Sequence, residues 1–270
     1  MFQPSPVISS IAGVSACIIT YNEEVNIERC LRSLHWADEI VVVDSFSKDD
    51  TVRIARRYTD RVFQHAWPGH IRQKNVALGY ARCDWVFALD ADEVVSEALR
   101  QSISEAVGRG DCEGYLVARK VFYLGRWIGH CGWYPEYKLR LFRRERGHWG
   151  GVNPHDRVIL EGRAGKLSGD LYHYPYKDIS DHWETMGRYA SIAAGEMVRE
   201  GRRFRWWDLL VRPPARFGKM FVLKRGFLDG GVGFVVSLLG AVSVFLKYVK
   251  LWELCRNRSP EKNGLEPGKR

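Results

Sequence analysis

The chain has 270 residues, 46% of them hydrophobic, enough for one large α/β domain with an appendage and incompatible with global disorder. With 41 Lys and Arg against 32 Asp and Glu the formal charge is +9, which points to nucleic acid, an anionic membrane surface or a phosphorylated substrate. The six cysteines (Cys17, Cys30, Cys83, Cys112, Cys131 and Cys255) form no CxxC pair, which argues against structural zinc and for a reducing compartment.

In chain order, the N-terminus does not read as a signal peptide, because it lacks a basic stretch and Pro4 and Pro6 interrupt it. Val14 to Thr20 is an apolar run ending in the polar turn Tyr21-Asn22-Glu23, and Val25, Ile27, Cys30, Leu31 and Leu34 follow at helical spacing. Glu39 to Val43 is a second apolar run ending at Asp44, and Asp49-Asp50-Thr51 reads as a helix start. Strands are expected at Arg61 to His65 and Trp85 to Leu89, with helices at Ile71 to Ala81 and Glu97 to Val107. Strands without polar alternation, alternating with helices, predict a mostly parallel sheet covered on both faces, with ligands at the carboxyl ends of its strands. Residues 114–175 are rich in Gly, Arg and aromatics; Tyr115 to Val121 and Lys138 to Arg143 are candidate strands, and 178–200 is a candidate helix. From Arg202 the character changes. Gly230 to Leu246 is a charge-free run of 17 residues, at the lower edge of the ~20 a membrane span needs.

Two carboxylates, Asp90 and Asp92, stand one residue apart directly after an apolar strand. Such a pair can hold a hard cation, Mg²⁺ or Mn²⁺, shared with substrate phosphates; a solvated acidic turn or a helix N-cap with acids in its first turn would look the same. Asp44, at a second strand end, can accept hydrogen bonds from a ribose or base. Arg72-Gln73-Lys74-Asn75 opens a helix pattern and can contact a diphosphate, or can be an ordinary solvated helix face.

Four stretches occur together, in order: Ile18-Ile19-Thr20-Tyr21-Asn22-Glu23, Val43-Asp44-Ser45, Arg72-Gln73-Lys74-Asn75 and Leu89-Asp90-Ala91-Asp92-Glu93. On these the chain resembles the family 2 glycosyltransferases of the GT-A fold, a Rossmann-like nucleotide-sugar-binding architecture. The resemblance implies inverting transfer from a nucleoside-diphosphate sugar. It places Thr20, Tyr21, Glu23 and Asp44 near the nucleotide, Asp90 near the donor ribose or sugar, Asp92 on the metal, and Lys74 among the donor contacts. Further stretches resemble the bacterial β-1,4-glucosyltransferases of the lipopolysaccharide inner core: Lys138 to Arg144, Gly151-Val152 before His155-Asp156, His173-Tyr174, Phe227 to Gly230 and Lys247 to Trp252. That group usually has His-Glu close after Gly-Val; here Asn153-Pro154 intervenes and the acid is Asp156. The resemblance implies UDP-glucose as donor and a lipid-linked saccharide as acceptor.

Inversion needs a general base on the acceptor hydroxyl. Asp156 is the candidate, with His155, Glu136 and Glu93 as rivals and a salt bridge to Arg157 or Arg163 as the structural alternative. Arg140 and Arg143 are candidate acceptor or phosphate contacts, guanidinium being suited to phosphate oxygens. The expected organisation is a catalytic domain over 1–175 (nucleotide and metal half about 14–110, acceptor half about 111–175), a helical membrane-associating region over 176–253, and a disordered tail over 254–270. Basic clusters with Trp206, Trp207 and Trp252 flanking an apolar segment favour peripheral or interfacial attachment to an anionic membrane over nucleic acid. The implied location is the cytoplasmic face of a bacterial inner membrane. Transfer onto a polyprenyl-phosphate carrier or an exopolysaccharide is the alternative within the same chemistry. A non-catalytic sugar-nucleotide or RNA-binding protein is the alternative outside it; RNA binding would show basic and aromatic residues across an exposed sheet face, and no such pattern is found.

Overall fold

The computed structural model describes residues 11–152 and 155–257. Two compact units are present: the first runs to Phe122 and takes in Pro135–Pro175, and the second comprises Tyr123–Tyr134 and the chain from Tyr176.

The first unit opens with the alternation expected of its sequence: β1 (Ile11–Thr20), α1 (Ile27–Arg32), β2 (Glu39–Asp44), α2 (Thr51–Ala55), β3 (Val62–Gln64), α3 (His70–Tyr80), β4 (Cys83–Asp90), β5 (Glu93–Val95) and α4 (Glu97–Arg109). It continues through β6 (Gly114–Tyr123), then, after β7 (Arg126–Trp127) in the segment that belongs to the second unit, through β8 (Glu136–Arg143), β9 (Gly147–Val152), β10 (His155–Leu160) and β11 (Ala164–His173). The main sheet has the order β3-β2-β1-β4-β8-β6-β11-β5, and β9 and β10 form a separate antiparallel hairpin. Pairing is parallel from β3 to β4, antiparallel across β8, parallel again between β6 and β11, and antiparallel at β5. A strand buried on both faces has no use for polar alternation. In β1, Ala16 and Ile18 pack with Ile27, Leu31 and Leu34 on one face, while Cys17 packs with Val41, Val43 and Ala77 on the other. At Gly169, φ is +87° and a Cβ would fall 2.3 Å from the Leu99 nitrogen, so only glycine lets β11 bulge against the start of α4.

The second unit contains α5 (Ile179–Arg199), α6 (Trp206–Gly218) with Pro213 and Pro214 inside it, a π turn (Lys219–Leu223), a 3₁₀ turn (Gly226–Asp229) and α7 (Gly230–Asn257). Ala194, Met197 and Val198 of α5 form a core with Tyr248 and Leu251 of α7. The segment 123–134 belongs here because the buried Asp229 carboxylate accepts the Gly129 amide (3.2 Å), the His130 amide (2.8 Å) and a hydrogen bond with His130 Nδ1 (3.0 Å). Gly233 lies so close to the preceding turn that a Cβ would sit 1.9 Å from the Gly226 carbonyl oxygen.

The expected disordered tail is corrected at its start: Leu254 to Asn257 continue α7, whose apolar residues carry the helix past Trp252, and 258–270 lie outside the described residues. Gly226–Asn257 is long and apolar enough to cross a membrane, with a mean hydropathy of 2.0 over its most apolar window and only 33% of that window buried. All six cysteines are free thiols, five of them buried and Cys255 half-exposed.

Candidate active site

The loops after β1 and β2 are laced together by their polar side chains. The Asn22 amide donates to Ser47 Oγ, the Lys48 amide to Asn22 Oδ1, and the Glu23 amide to Thr51 Oγ1, each at 2.8 Å. The Asp44 carboxylate is buried and accepts the Ser47 amide (2.9 Å), the Ser47 hydroxyl and Gln64 Nε2 (3.3 Å), so it organises its own turn. Next to it in register, Thr20 Oγ1 is buried without a hydrogen-bond partner among the described residues. A buried hydroxyl left unpaired is costly unless a ligand or water satisfies it. Glu23 accepts from Asn26 Nδ2 at 2.6 Å. Tyr21 is 51% exposed and Phe46 is 54% exposed, two rings standing clear of adjacent strand ends. Phe46 also adopts φ +60°, a left-handed conformation that is costly for a bulky side chain and that clusters at functional sites.

α3 carries the organising side chains, and the residues that looked like a plain helix face are largely buried. Gln73 bridges Ser45 Oγ (3.0 Å), the His65 carbonyl (3.2 Å) and His65 Nδ1 (2.8 Å). Asn75 holds both polar groups of Trp149 in β9, donating to its carbonyl at 2.9 Å and accepting from its amide at 3.0 Å. That clamp fixes the hairpin that carries Asp156. Lys74 then joins the two acids: its Nζ lies 2.8 Å from Asp156 Oδ2 and 3.2 Å from Asp90 Oδ1, 4.4 Å above the Trp149 ring.

Asp90 also meets Arg140 at 2.9 Å, and Arg140 reaches Glu93 Oε1 at 2.7 Å. Glu93 is fully buried, accepts the Asp90 amide at 2.9 Å, and has Arg119 3.5 Å away. Burial raises the Asp90 pKa, but the Lys74 and Arg140 cations outweigh it and hold the carboxyl well below the usual range. Burial likewise works against the Arg140 charge and is overcome by Glu93 and Asp90, which raise its pKa further. Asp92 lies on the other side of the turn, with His173 Nε2 at 3.1 Å from its Oδ2. The contact follows from pairing: His173 of β11 is opposite Glu93 of β5, and the Tyr174 amide donates to the Asp92 carbonyl at 3.0 Å.

The sequence-derived residues are thus sorted. Lys74, Asp90 and Asp156 meet directly, with Asp92 on the same turn; Thr20, Tyr21, Glu23 and Asp44 line the neighbouring strand ends. Both arginines expected as acceptor or phosphate contacts already have protein partners. Arg140 is 4% exposed and occupied by Asp90 and Glu93. Arg143 is paired in register with Trp85, over whose ring its guanidinium lies at 4.6 Å, five residues before Asp90 along β4 and so roughly 17 Å from it. Among the rival bases, Glu93 is spanned by two arginines, and Glu136 pairs with Arg119 (2.5 Å) and Lys138 (2.9 Å). His155 contributes backbone to β10 opposite Val152, and its side chain lies outside the described residues. Asp156 pairs with Lys74, not with Arg157 or Arg163. Arg119 is the site residue that sequence reasoning missed; Glu93 stood among the rival bases, and Asn75 and His173 fell, without a role of their own, within the stretches that carry the resemblance.

Among the described residues, no group of three or more His, Cys, Asp or Glu side chains is arranged to hold a metal ion. Asp92 and His173 nevertheless fit one. An oxygen and a nitrogen donor face each other from adjacent elements, and a cation that keeps waters and takes substrate phosphates needs few protein ligands.

Residues 15–159 match the model of Glycosyl transferase family 2. The lipopolysaccharide core biosynthesis glycosyltransferase LpsC of Rhizobium meliloti is 31% identical over 253 residues, covering 89% of this chain and 92% of its own length. An uncharacterized glycosyltransferase of Rickettsia typhi, RT0209, is 31% identical over 254 residues, covering 89% and 87%. Among solved structures, the mannosyltransferase PcManGT from Pyrobaculum calidifontis, in complex with GDP-Man and Mn²⁺, superposes with a TM-score of 0.54 at 17% identity, covering 93% of this chain and 91% of that one.

Proposed function

Because the chain belongs to glycosyl transferase family 2, a glycosyltransferase of the GT-A fold, we propose that it transfers glucose from UDP-glucose, with inversion, onto a lipid-linked saccharide of the lipopolysaccharide core. The observation that carries the reading is the Lys74 bridge, which gathers Asp90 from a strand end of the parallel sheet and Asp156 from the hairpin into one site. The likeness to LpsC supports the core as acceptor.

Tyr21 and Phe46 offer faces for the base, and Thr20 Oγ1, Glu23 and Asp44 offer polar contacts to the nucleotide. Lys74 and Asp90 meet the donor's phosphates and sugar. Asp92 and His173 would hold Mg²⁺ or Mn²⁺, which when bound neutralises the leaving diphosphate. Asp156 takes the proton of the acceptor hydroxyl as that oxygen bonds to the anomeric carbon, and the bond from that carbon to the diphosphate oxygen breaks with its electron pair. Lys74 and Arg140 keep Asp90 ionised, and Glu93 fixes its turn by accepting the Asp90 amide. The membrane end of the reaction falls to α7 and Trp206, Trp207 and Trp252, all exposed, which suit peripheral or interfacial attachment at the cytoplasmic face of the inner membrane.

The test is Asp156→Asn. Transfer is expected to fall 10²–10⁴-fold, the usual contribution of a general base, while Mn²⁺-dependent binding of UDP-glucose stays close to wild type. Transfer at the wild-type rate would place the base elsewhere; loss of donor binding would make Asp156 a donor contact.

A further inference from the structure

The second unit has an open pocket of about 180 Å³, the order of one sugar ring, that plays no part in the chemistry above. Its wall is aromatic: Trp133, Tyr176, Tyr189 and His182 line it. His182 stacks on Tyr176 with ring centroids 4.0 Å apart and shares a 2.7 Å hydrogen bond with the Tyr123 hydroxyl. Burial holds its pKa down to about 4, so the ring is neutral at pH 7 and the wall carries no charge of its own. Aromatic faces with a neutral polar edge suit the C–H faces and hydroxyls of a saccharide.

Charge enters at one rim only. Arg216 and Ser243 line the cavity where α6 meets α7; a Cβ placed on Gly240 would be 3.8 Å from Arg216 Nε, so the guanidinium base lies against α7 there. Arg212, one turn before Arg216, and Lys247, one turn after Ser243, continue the same seam, and both sit over the Tyr248 ring, at 5.4 and 5.1 Å. Arg212 has Asp208 as its ion-pair partner, whereas Arg216 and Lys247 have none among the described residues. Burial, then Arg212, Arg202 and Arg216, lower the Lys247 pKa, and the Asp208 carboxylate offsets only part of that. Phe234, Leu238 and Phe245 are each about 45% exposed and recur with Trp252 on the face of α7 opposite the seam. A largely aromatic pocket and a cationic rim thus adjoin along one face of α7, with the exposed apolar ridge on its other face.

We propose that this is an acceptor subsite for a phosphorylated saccharide headgroup, one sugar ring lying against Trp133, Tyr176 and Tyr189 and its phosphate held by Arg216 and Lys247. The inference rests on the lipid-linked acceptor proposed above and supplies what that reading lacks, a place outside the catalytic unit that recognises the acceptor. Guanidinium forks bind phosphate through two parallel hydrogen bonds, which makes Arg216 the selective element.

The test compares full-length protein in mild detergent with the double variant Arg216→Gln, Lys247→Gln. The probes are a deacylated, phosphate-bearing inner-core oligosaccharide and the same oligosaccharide after chemical dephosphorylation, with UDP-glucose plus Mn²⁺ as the donor control. Wild type is expected to bind the phosphorylated probe at least tenfold more tightly than the dephosphorylated one, and the variant is expected to lose that preference while binding the donor normally. Tyr176→Ala should weaken both oligosaccharides alike. Donor binding without binding of either oligosaccharide, or an undiminished phosphate preference in the variant, overturns the subsite. Failure of wild type to bind the donor indicts the parent reading instead. If the variant keeps its oligosaccharide preference but no longer binds phosphatidylglycerol vesicles, the rim serves bulk lipid and the proposal is wrong.

Discussion

Replacing Arg140 by Met removes one buried cation from between two acids. Arg140 is 4% exposed and touches Asp90 at 2.9 Å and Glu93 at 2.7 Å. Without it Glu93, fully buried, keeps only Arg119 at 3.5 Å, and Asp90 keeps only Lys74 at 3.2 Å. Breaking a buried ion pair from one side costs about 3–5 kcal/mol, because the remaining charge stays desolvated. At about 1.4 kcal/mol per decade, amide protection in β4 and β8 should fall by two to nearly four decades. The assay is hydrogen exchange by mass spectrometry on peptides covering Cys83–Asp90 and Glu136–Arg143. Adding Glu93→Gln to Arg140→Met removes the stranded carboxylate and should recover at least about 1 kcal/mol, a coupling measurable in a double-mutant cycle. Turnover should stay low in both, since the Asp90 turn has lost its tether. Unchanged protection in Arg140→Met would refute the view that this network fixes the acidic turn.

Three further outcomes follow from other contacts. Asp92→Ala and His173→Ala should each weaken Mn²⁺ affinity in the presence of UDP by at least tenfold, read by titration calorimetry, while melting temperature changes little; equal metal affinity in His173→Ala would remove it from the donor set. For His182 the folded pKa of about 4 lies below the ordinary 6.5, so the unfolded chain binds more protons between these values. Its contribution is therefore complete above pH 6.5 and declines as pH falls toward 4, by about 3 kcal/mol in all, and thermal unfolding should show His182→Gln with a flatter pH dependence than wild type. Gly233→Ala drives a methyl onto the Gly226 carbonyl and should destabilise the second unit by about 1–3 kcal/mol, read by thermal unfolding; a neutral result would mean the turn at 226–229 is free to shift.

The parallel half of the sheet was legible because burial on both faces writes itself as unbroken apolar runs, and Asp44 and Asp90 stand where those runs stop. The antiparallel half was not. β9 and β10 are a Gly-rich hairpin held by Asn75 from a distant helix, and β5 has three residues, too few for any period to show. The short α1 also escaped its expected length: Val25 begins the helical spacing but is exposed outside it, because the turn at Glu23 is tied to Thr51. Site chemistry followed the same divide. Each acid was visible at a strand end, whereas the pairing of Lys74 with Asp156, 82 positions away, is a tertiary contact that no local pattern encodes. Arg140 and Arg143 show the same divide. Both are candidate phosphate contacts by side-chain chemistry, and only the register of β8 against β4 reveals that Arg140 already pairs with carboxylates and that Arg143 sits beside Trp85, away from Asp90.

The thiol inventory has a practical corollary. Thiolates, not thiols, react with maleimides, and burial pushes the Cys17, Cys30, Cys83 and Cys131 thiols up, leaving Cys255, partly exposed with its thiol 3.9 Å from the Arg202 carbonyl, as the most accessible handle. It stands three residues after Trp252 near the end of α7. The wild-type chain is thus ready for single-site labelling without any cysteine being engineered in or out, and the emission colour of a polarity-sensitive dye at that position would report how deeply the end of this helix sits in a bilayer.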